Sequence, residues 1–538
     1  MPEKKPKQNN KKYQKPLRTF EKSGVVNPET SYYVTLDNVV NTDKQDFKTM
    51  VDQGRYFSMF APRQSGKTTF LKGICDELHK EPTYAALMLS FQKYKDLDKT
   101  RFYALVEREL YGQLIDRLKD VNCEKIAAVE QFLTKHHLED HISFNLLFEE
   151  LNNIIEFKKI VIFIDEFDGI PLSELENFLS ALRDLYQKYK GVKQKALYSV
   201  GLIGIRNITK LIVGGVSPFN IADQVELPPF SLKNLRDLYA QYTTETNQPF
   251  SEAAVKKVYE ATAGQPWLVN RLGTILTLDI KPGTIEPIEE QDVDKAVRRL
   301  LRERNVHFDN LYEKAKLYKE TFVKIVFDHV TYNPDDEDQT WLEQYGLIKN
   351  KDEKAVVANP IYKERYLRTF FHEAKVPEDL SITSYSLPDG KLDMERILLD
   401  FEQYIAQIGV RALYNKDKPY EKTGQFLLTA WLYQFVRGGA GDLRYEVPSG
   451  LGRMDILLSH QGRKYIIETK VNRRNLSRTL NEGIKQVAGK YLATESAHEG
   501  YLIIFDARTP VGEEYEPQYH QVEKKKVTSF VIAVGRVD

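Results

Sequence analysis

Over the first half of the chain, short apolar runs alternate with longer stretches of mixed polarity. Residues 56–60 (YFSMF), 85–89 (AALML), 160–164 (IVIFI), 199–203 (SVGLI) and 211–213 (LIV) have strand length and little internal alternation. Residues 100–119 and 171–190 lie between such runs and carry apolar positions at helical spacing. Near-continuous apolar strands separated by helices predict a parallel sheet covered on both faces. From residue 231 the period becomes helical, in SLKNLRDLYAQY and then SEAAVKKVYEATAG. Residues 333–339 are acidic and interrupted by Pro, which predicts a loop. The following WLEQYGLIKNKDEKAVVANPIYKERYLRTF reads as helix, short hairpin and helix, the order of a small winged-helix unit. The segment VPEDLSITSYSLPDGK is rich in Pro, Ser and Gly and marks a boundary. Beyond it come a helix, strands, another helix and another strand.

This pattern gives an α/β chain with six parts. They are a disordered basic arm (1–24), a parallel-sheet core (25–230), a helical lid (231–305), a winged-helix-like unit (306–374), a linker (375–392) and a C-terminal α/β domain (393–538). The length of 538 residues agrees with several domains, since a domain averages roughly 150 residues. The arm holds eight basic and two acidic residues. It is either a solubilising tail or an electrostatic tether for nucleic acid. Lys plus Arg and Asp plus Glu are each 77. A nucleic-acid partner would therefore need a local basic surface. Two cysteines, Cys75 and Cys123, form no disulfide scaffold or thiolate zinc site. Without a membrane-length apolar run or an apolar leader, the sequence is expected to be cytoplasmic.

Ala61-Pro-Arg63-Gln64-Ser65-Gly66-Lys67-Thr68-Thr69 joins the first apolar run to a helical segment. Backbone N–H groups at such a helix start cradle phosphate oxygens. Lys67 would reach the β- and γ-phosphates, and Thr68 would bind Mg²⁺. Residues 160–164 lead into Asp165 and Glu166. At the carboxyl end of a buried strand, Asp165 would support the magnesium shell and Glu166 would polarise an attacking water. Together these elements predict ATP binding and hydrolysis.

VNPETSYYV, FAPRQSGKTT, SPFNIA and ATAGQPWLVNRL occur in this order over roughly residues 24–370. The set resembles AAA-like P-loop ATPases near the STAND and archaeal ATPase group. In Gly264-Gln-Pro266 the resemblance implies a proline beside the adenine and a lid that senses nucleotide. It also implies sensor positions at Arg206 and Arg271, although an ion pair explains either arginine equally well. Ala61 stands where the common loop begins with Gly, a change that this family tolerates.

A second constellation lies near the C-terminus. Asp455, in GLGRMDILL, precedes Glu468 by 13 residues, and Glu468-Thr-Lys470 ends the next apolar run. Gln461-Gly462 supplies a turn between the two runs. A hairpin would bring Asp455 alongside Glu468 and Lys470, which share a strand face. Two carboxylates and an ammonium suit metal-assisted phosphodiester hydrolysis with Mg²⁺ or Mn²⁺. The alternative is a solvated ion-pair ladder. The D-x₁₂-ExK spacing resembles the PD-(D/E)XK nuclease fold over about residues 393–515. That likeness implies a further acidic metal ligand at Glu421 on the preceding helix, with Glu446 as a weaker choice, and a Gln486–Tyr491 motif on the following helix. Arg473, Arg474, Arg478, Lys485 and Lys490 would be a phosphate rim or ordinary helix charge.

The combined expectation is an ATPase that gates or positions a nuclease on nucleic acid, with DNA the expected form and prokaryotic defence the expected setting. A STAND-type switch with a non-catalytic C-terminal binding module, or a DNA-remodelling ATPase, are the alternatives. A homo-oligomer or a partner protein is also compatible, and no membrane is expected.

Overall fold

A computed structural model of the chain describes residues 12–36, 39–155, 158–191, 195–205, 221–327, 330–373, 382–408, 414–415, 418–419, 421–436, 441–449, 452–494, 497 and 499–535. They form two compact units. One comprises Met1–Leu317, Asn333–Asn350 and Val357–Tyr362; the other comprises Tyr318–Tyr332, Lys351–Val356 and Lys363–Asp538.

The first unit opens its α/β core with helix α1 (Phe47–Asp52), whose N-cap Asp46 accepts from Thr49 N. Strand β1 (Tyr56–Phe60), helix α2 (Lys67–Leu78), β2 (Tyr84–Ser90) and the long α3 (Lys99–Asp120) follow. Next come α4 (Ile126–Leu133), α5 (His141–Ile154), β3 (Lys159–Asp165), α6 (Leu172–Lys188), β4 (Leu197–Gly204) and β5 (Asp223–Val225). The strands form one sheet in the order β2-β3-β4-β1-β5, and every pairing is parallel. Parallel strands need crossovers, and the helices that provide them cover both faces. Strand β3 shows why its apolar run is continuous. Ile160, Ile162 and Ile164 enter one core with Phe102, Phe148 and Phe178 of α3, α5 and α6. Val161 and Phe163 enter the other core with Phe47 and Leu71 of α1 and α2. The strand expected at residues 211–213 lies outside the described residues.

The lid comprises α7 (Leu232–Thr246), α8 (Glu252–Thr262), α9 (Pro266–Ile275), a π turn at Leu276–Ile280, and α10 (Glu290–Leu300). Ser231 and Asn234 form a capping box that starts α7. Proline at the first turn of α9 costs no hydrogen bond.

One boundary needs correction. The described part of the expected arm, residues 12–24, is packed against the lid. Phe20 is buried with its ring 4.8 Å from Tyr32 and 5.4 Å from Tyr239. Glu245 accepts from Leu17 N at 2.6 Å and from Tyr32 Oη at 2.6 Å. Basic composition obscured this anchor, because a single buried aromatic outweighs several solvated charges.

Helices α11 (Val306–Leu317), α12 (Lys319–Phe327) and α13 (Glu337–Gln344) are followed by strands β6 (Ile348–Lys351) and β7 (Lys354–Val357) and helix α14 (Pro360–Glu373). The helix–hairpin–helix order matches the expectation, but residues 306–374 are divided between the units. Tyr362 accepts or donates a hydrogen bond with His307 at 2.7 Å in the first unit. Tyr366 packs on Phe322, with centroids 6.1 Å apart, in the second.

The second unit continues with α15 (Met394–Ile408), the short pair β8 (Tyr414–Asn415) and β9 (Lys418–Pro419), and α16 (Glu421–Tyr433). Trp431 of α16 donates to Ile397 O of α15 at 3.0 Å and stacks on Tyr404. Then come β10 (Gly441–Ser449), β11 (Gly452–His460), β12 (Arg463–Asn472), α17 (Leu476–Gln486), β13 (Glu499–Pro510), β14 (Gln518–Val522) and β15 (Lys525–Gly535). Their sheet runs β10-β11-β12-β13-β15-β14. It is mixed, with β12, β13 and β15 parallel and the remaining pairings antiparallel. Met454, Ile466, Leu502 and Val531 form a core with Ile484 of α17 and with Tyr491 just beyond it. Among the described residues, no helix is long and apolar enough to cross a membrane.

Candidate functional sites

In the first unit, β1 ends at Phe60 and α2 begins at Lys67, so residues 61–66 form the connecting loop. Gly66 takes φ 92° at the N-cap, a left-handed conformation that glycine adopts without a Cβ penalty. Gln64 also has positive φ, 58°. These turns bring the loop back over the start of α2. Lys67 is 6% exposed, and its Nζ donates to Ala61 O and Pro62 O, each at 2.8 Å. Burial pushes its ammonium pKa down, while the charges of Glu166, Asp165 and Asp168 oppose that shift. Ser65 Oγ is buried without a partner among the described residues. Arg63 and Gln64 are exposed, and Val26 N donates to Thr69 Oγ1 at 3.2 Å.

Strand β4 separates β1 from β3 in the sheet, yet the carboxyl end of β3 reaches the loop. Thr68 Oγ1 donates to Asp165 Oδ2 at 2.6 Å. The other oxygen, Asp165 Oδ1, accepts from Glu166 N at 2.9 Å. Glu166 is in the left-handed region at φ 50°, a costly conformation for a side-chain-bearing residue. Burial raises its pKa; Lys67 opposes and Asp165 reinforces that shift. A hydroxyl and a carboxylate in contact beside a buried lysine fit Mg²⁺ with a polyphosphate. Thr68 and Asp165 would hold the ion, and Lys67 with the loop N–H groups would hold the phosphates.

The lid completes the surroundings. Gly264 has φ 76°, and a Cβ there would fall 1.9 Å from Phe230 O. Only glycine allows that approach, which is locked by Phe230 N donating to Gly264 O at 2.8 Å. Gln265 Nε2 donates to Gln64 O at 3.2 Å, linking the lid helix to the loop. A pocket extends from Ser65, Gly66 and Thr69 to Phe230, Leu238, Pro266 and Asn270. Pro266 thus lines the space next to the loop. Arg271 instead forms an ion pair with Glu303, at 2.9 Å and 2.5 Å through two nitrogens. This is the structural alternative for that residue. Arg206 lies outside the described residues.

In the second unit, Gln461 and Gly462 have φ 47° and 78°, the signs of a two-residue hairpin turn. The turn fixes Ile456 opposite Ile467, the residues next to Asp455 and Glu468 in the chain. Asp455 Oδ2 accepts from Thr469 N at 2.8 Å and from Thr469 Oγ1 at 2.6 Å. Glu468 is 1% exposed. Its Oε1 accepts from Lys470 Nζ at 2.6 Å, while Oε2 is buried without a partner among the described residues. Burial and the Asp455 charge push the Glu468 pKa up to about 7, against the pull of Lys470. Gln486 Nε2 donates to Tyr491 Oη at 2.5 Å. The charges of Glu468, Asp455 and Lys470 act on this buried phenol. The Gln–Tyr pair therefore shares one neighbourhood with Asp455, Glu468 and Lys470.

A surface ladder would be solvated, whereas Glu468 is not. Its orphaned oxygen fits a divalent cation, with Asp455 and Glu468 as the oxygen ligands and waters completing the shell. Among the described residues, no group of three or more His, Cys, Asp or Glu is arranged around a metal position. Glu421 begins α16 as expected, but its side chain lies outside the described residues, as does that of Glu446. Arg478 pairs with Glu482 on its own helix at 2.9 Å.

Sequence reasoning missed Thr469, Gln425 and Asn270. Thr469 orients Asp455, and its position between Glu468 and Lys470 was the available signal. Gln425 of α16 donates to Asp455 O at 3.3 Å and keeps Oε1 unpartnered. Its sequence neighbourhood carries no distinguishing pattern.

A sequence profile of the AAA-like domain family matches residues 21–369. The chain belongs to the AAA-like domain family. A second profile, described as a domain of unknown function (DUF8371), matches residues 392–509. No curated protein matches the chain. Solved structures similar to this AAA-like protein include the Walker-type ATPase PABY2304 of Pyrococcus abyssi, at 15% identity and TM-score 0.42, covering 62% of this chain and 98% of that one. The RuvB Holliday junction branch migration motor of Thermotoga maritima matches at 14% identity and TM-score 0.31, covering 59% and 90%. Cdc6p from Pyrobaculum aerophilum matches at 12% identity and TM-score 0.31, covering 59% and 88%.

Proposed function

We propose that this AAA-like protein hydrolyses ATP in its first unit and uses that cycle to position or gate a metal-dependent nuclease in its second. The observation that carries the nuclease reading is the buried, unpartnered Oε2 of Glu468 beside Asp455 and Lys470. A structural ion pair gains nothing from a second orphaned oxygen, whereas a cation-binding carboxylate requires one. In this reading residues 393–538 form a PD-(D/E)XK-like domain, and residues 306–374 serve as a winged-helix hinge.

At the first site Glu166 orients the attacking water, and Lys67 holds the terminal phosphates against developing charge. Magnesium supplies charge neutralisation when bound. At the second site Asp455 and Glu468 hold the cation, and Lys470 holds the water or the phosphate oxygen. DNA is the proposed substrate and defence against foreign DNA the proposed setting.

The test incubates plasmid and single-stranded DNA with the full chain and Mg²⁺ or Mn²⁺, with and without ATP. Glu468→Ala should abolish cleavage while leaving ATP turnover intact. Lys67→Ala should abolish turnover and change cleavage. If Lys67→Ala cuts like wild type, gating is wrong although both activities stand. ATP turnover without cleavage under every condition would favour a nucleotide switch, or a remodeller if DNA stimulates turnover.

A further inference from the structure

The cavity beside the phosphate loop is lined mainly by apolar groups, among them Tyr33, Phe230, Leu238 and Pro266. Such walls hold a planar base by contact and exclusion of water, but they do not identify it. Asn270 supplies a polar feature in this lining. It lies one turn after Pro266 on α9 and is 7% exposed. Its Nδ2 donates to Pro266 O at 2.9 Å. A carbonyl oxygen only accepts, so this bond fixes which end of the amide is nitrogen. Oδ1 is consequently held as an acceptor, and no donor among the described residues reaches it.

A buried acceptor without a donor is a standing cost that a ligand can relieve. Adenine presents a 6-amino donor, whereas guanine and hypoxanthine present a 6-oxo acceptor. The amide cannot exchange its ends to suit a 6-oxo base without breaking its bond to Pro266. We infer that Asn270 is the base-reading residue of this pocket, accepting a hydrogen bond from the 6-amino group of adenine and rejecting 6-oxo purines. The inference rests on the nucleotide-binding reading of the loop and adds its specificity. It also gives the lid a direct link to the base, because the reader sits on the helix that Gln265 ties to Gln64.

The experiment measures the affinity of the full chain for ATP, GTP and ITP by calorimetric titration. Wild type should bind ATP at least roughly tenfold more tightly than ITP, the expectation for one buried hydrogen bond against a mispaired acceptor. Asn270→Leu, similar in volume, should lower ATP affinity and raise that of ITP, so that the two converge. Lys67→Ala should weaken ATP and ITP alike, because it acts on the phosphates. Equal wild-type affinities for ATP and ITP, lost together in Lys67→Ala, would overturn the base-reading role while sustaining the site. A preserved ATP preference in Asn270→Leu would also overturn it. Absence of all nucleotide binding in wild type would overturn the site itself. The wild-type comparison decides the matter even if the Leu variant fails to fold.

Discussion

The same short contact appears in both units with opposite consequences. Thr68 Oγ1 donates to Asp165 Oδ2 at 2.6 Å, and Thr469 Oγ1 donates to Asp455 Oδ2 at 2.6 Å. In the first unit the threonine starts a helix beside a loop of N–H donors, and the buried charge is a lysine pushed toward neutrality. In the second the threonine adds its backbone N–H, and the buried charge is a carboxylate raised to about 7. The first pocket offers donors and a lysine, which suit anionic oxygens. The second offers acceptors, which suit the proposed cation. The lesson is that the buried partner, more than the motif around it, sets the kind of ligand each site suits.

The largest expected effect tests the first half of that contrast. Glu166→Gln should slow ATP turnover by at least about 100-fold while nucleotide affinity is retained. Turnover near the wild-type rate would remove Glu166 from the chemistry.

Stability probes the second half. A carboxyl raised to about 7 from its ordinary 4.5 stabilises the fold only when protonated. That contribution is present below the unfolded pKa and lost as pH rises through the folded one. In metal chelator, Glu468→Gln should therefore be more stable than wild type at pH 8 by on the order of 2–3 kcal/mol. The gain should shrink as pH falls toward 4.5. Hydrogen exchange along β11 and β12 reads this effect locally, and an unchanged variant would mean that the carboxylate is already compensated.

His307 gives the converse sign in the first unit. Stacked on Trp267 with centroids 4.3 Å apart, it is held neutral by burial, which pushes its pKa down to about 3. The unfolded chain binds a proton below the usual histidine range, so the fold loses stability between about pH 6.5 and 3. Acidification from pH 7 to 5 should cost about 2 kcal/mol, and His307→Phe should abolish that slope in thermal unfolding.

Two smaller effects separate positioning from ion pairing. Thr469→Val should weaken Mn²⁺ affinity at the second site roughly tenfold by freeing Asp455. A titration showing no change would make the hydroxyl dispensable. Arg271→Ala should cost about 1 kcal/mol or less and leave ATP turnover within about threefold of wild type. A much larger loss of turnover would restore Arg271 as a nucleotide sensor.

Local chemistry explains which features were legible in sequence. The phosphate loop is contiguous, and β3 is apolar on both faces because helices cover both, so Asp165 and Glu166 could be placed. Asp455 and Glu468 could be paired because the two-residue turn at Gln461-Gly462 fixes the register. Distant partners were not legible. Phe20 looked like part of a solvated arm until Tyr32 and Tyr239 closed over it. Arg271 gave no hint of Glu303, and Asn270 is an ordinary helical residue until Pro266 orients its amide. Strands β14 and β15 extend the second sheet beyond the motifs that identified it.

Metal-dependent cleavage of DNA by the full chain, compared with Glu468→Ala at equal ATP turnover, tests the central account most directly. The account predicts cutting that requires Mg²⁺ or Mn²⁺ and disappears in the variant. Cleavage that persists in Glu468→Ala, or a wild-type chain that binds no divalent ion at this site, would contradict it.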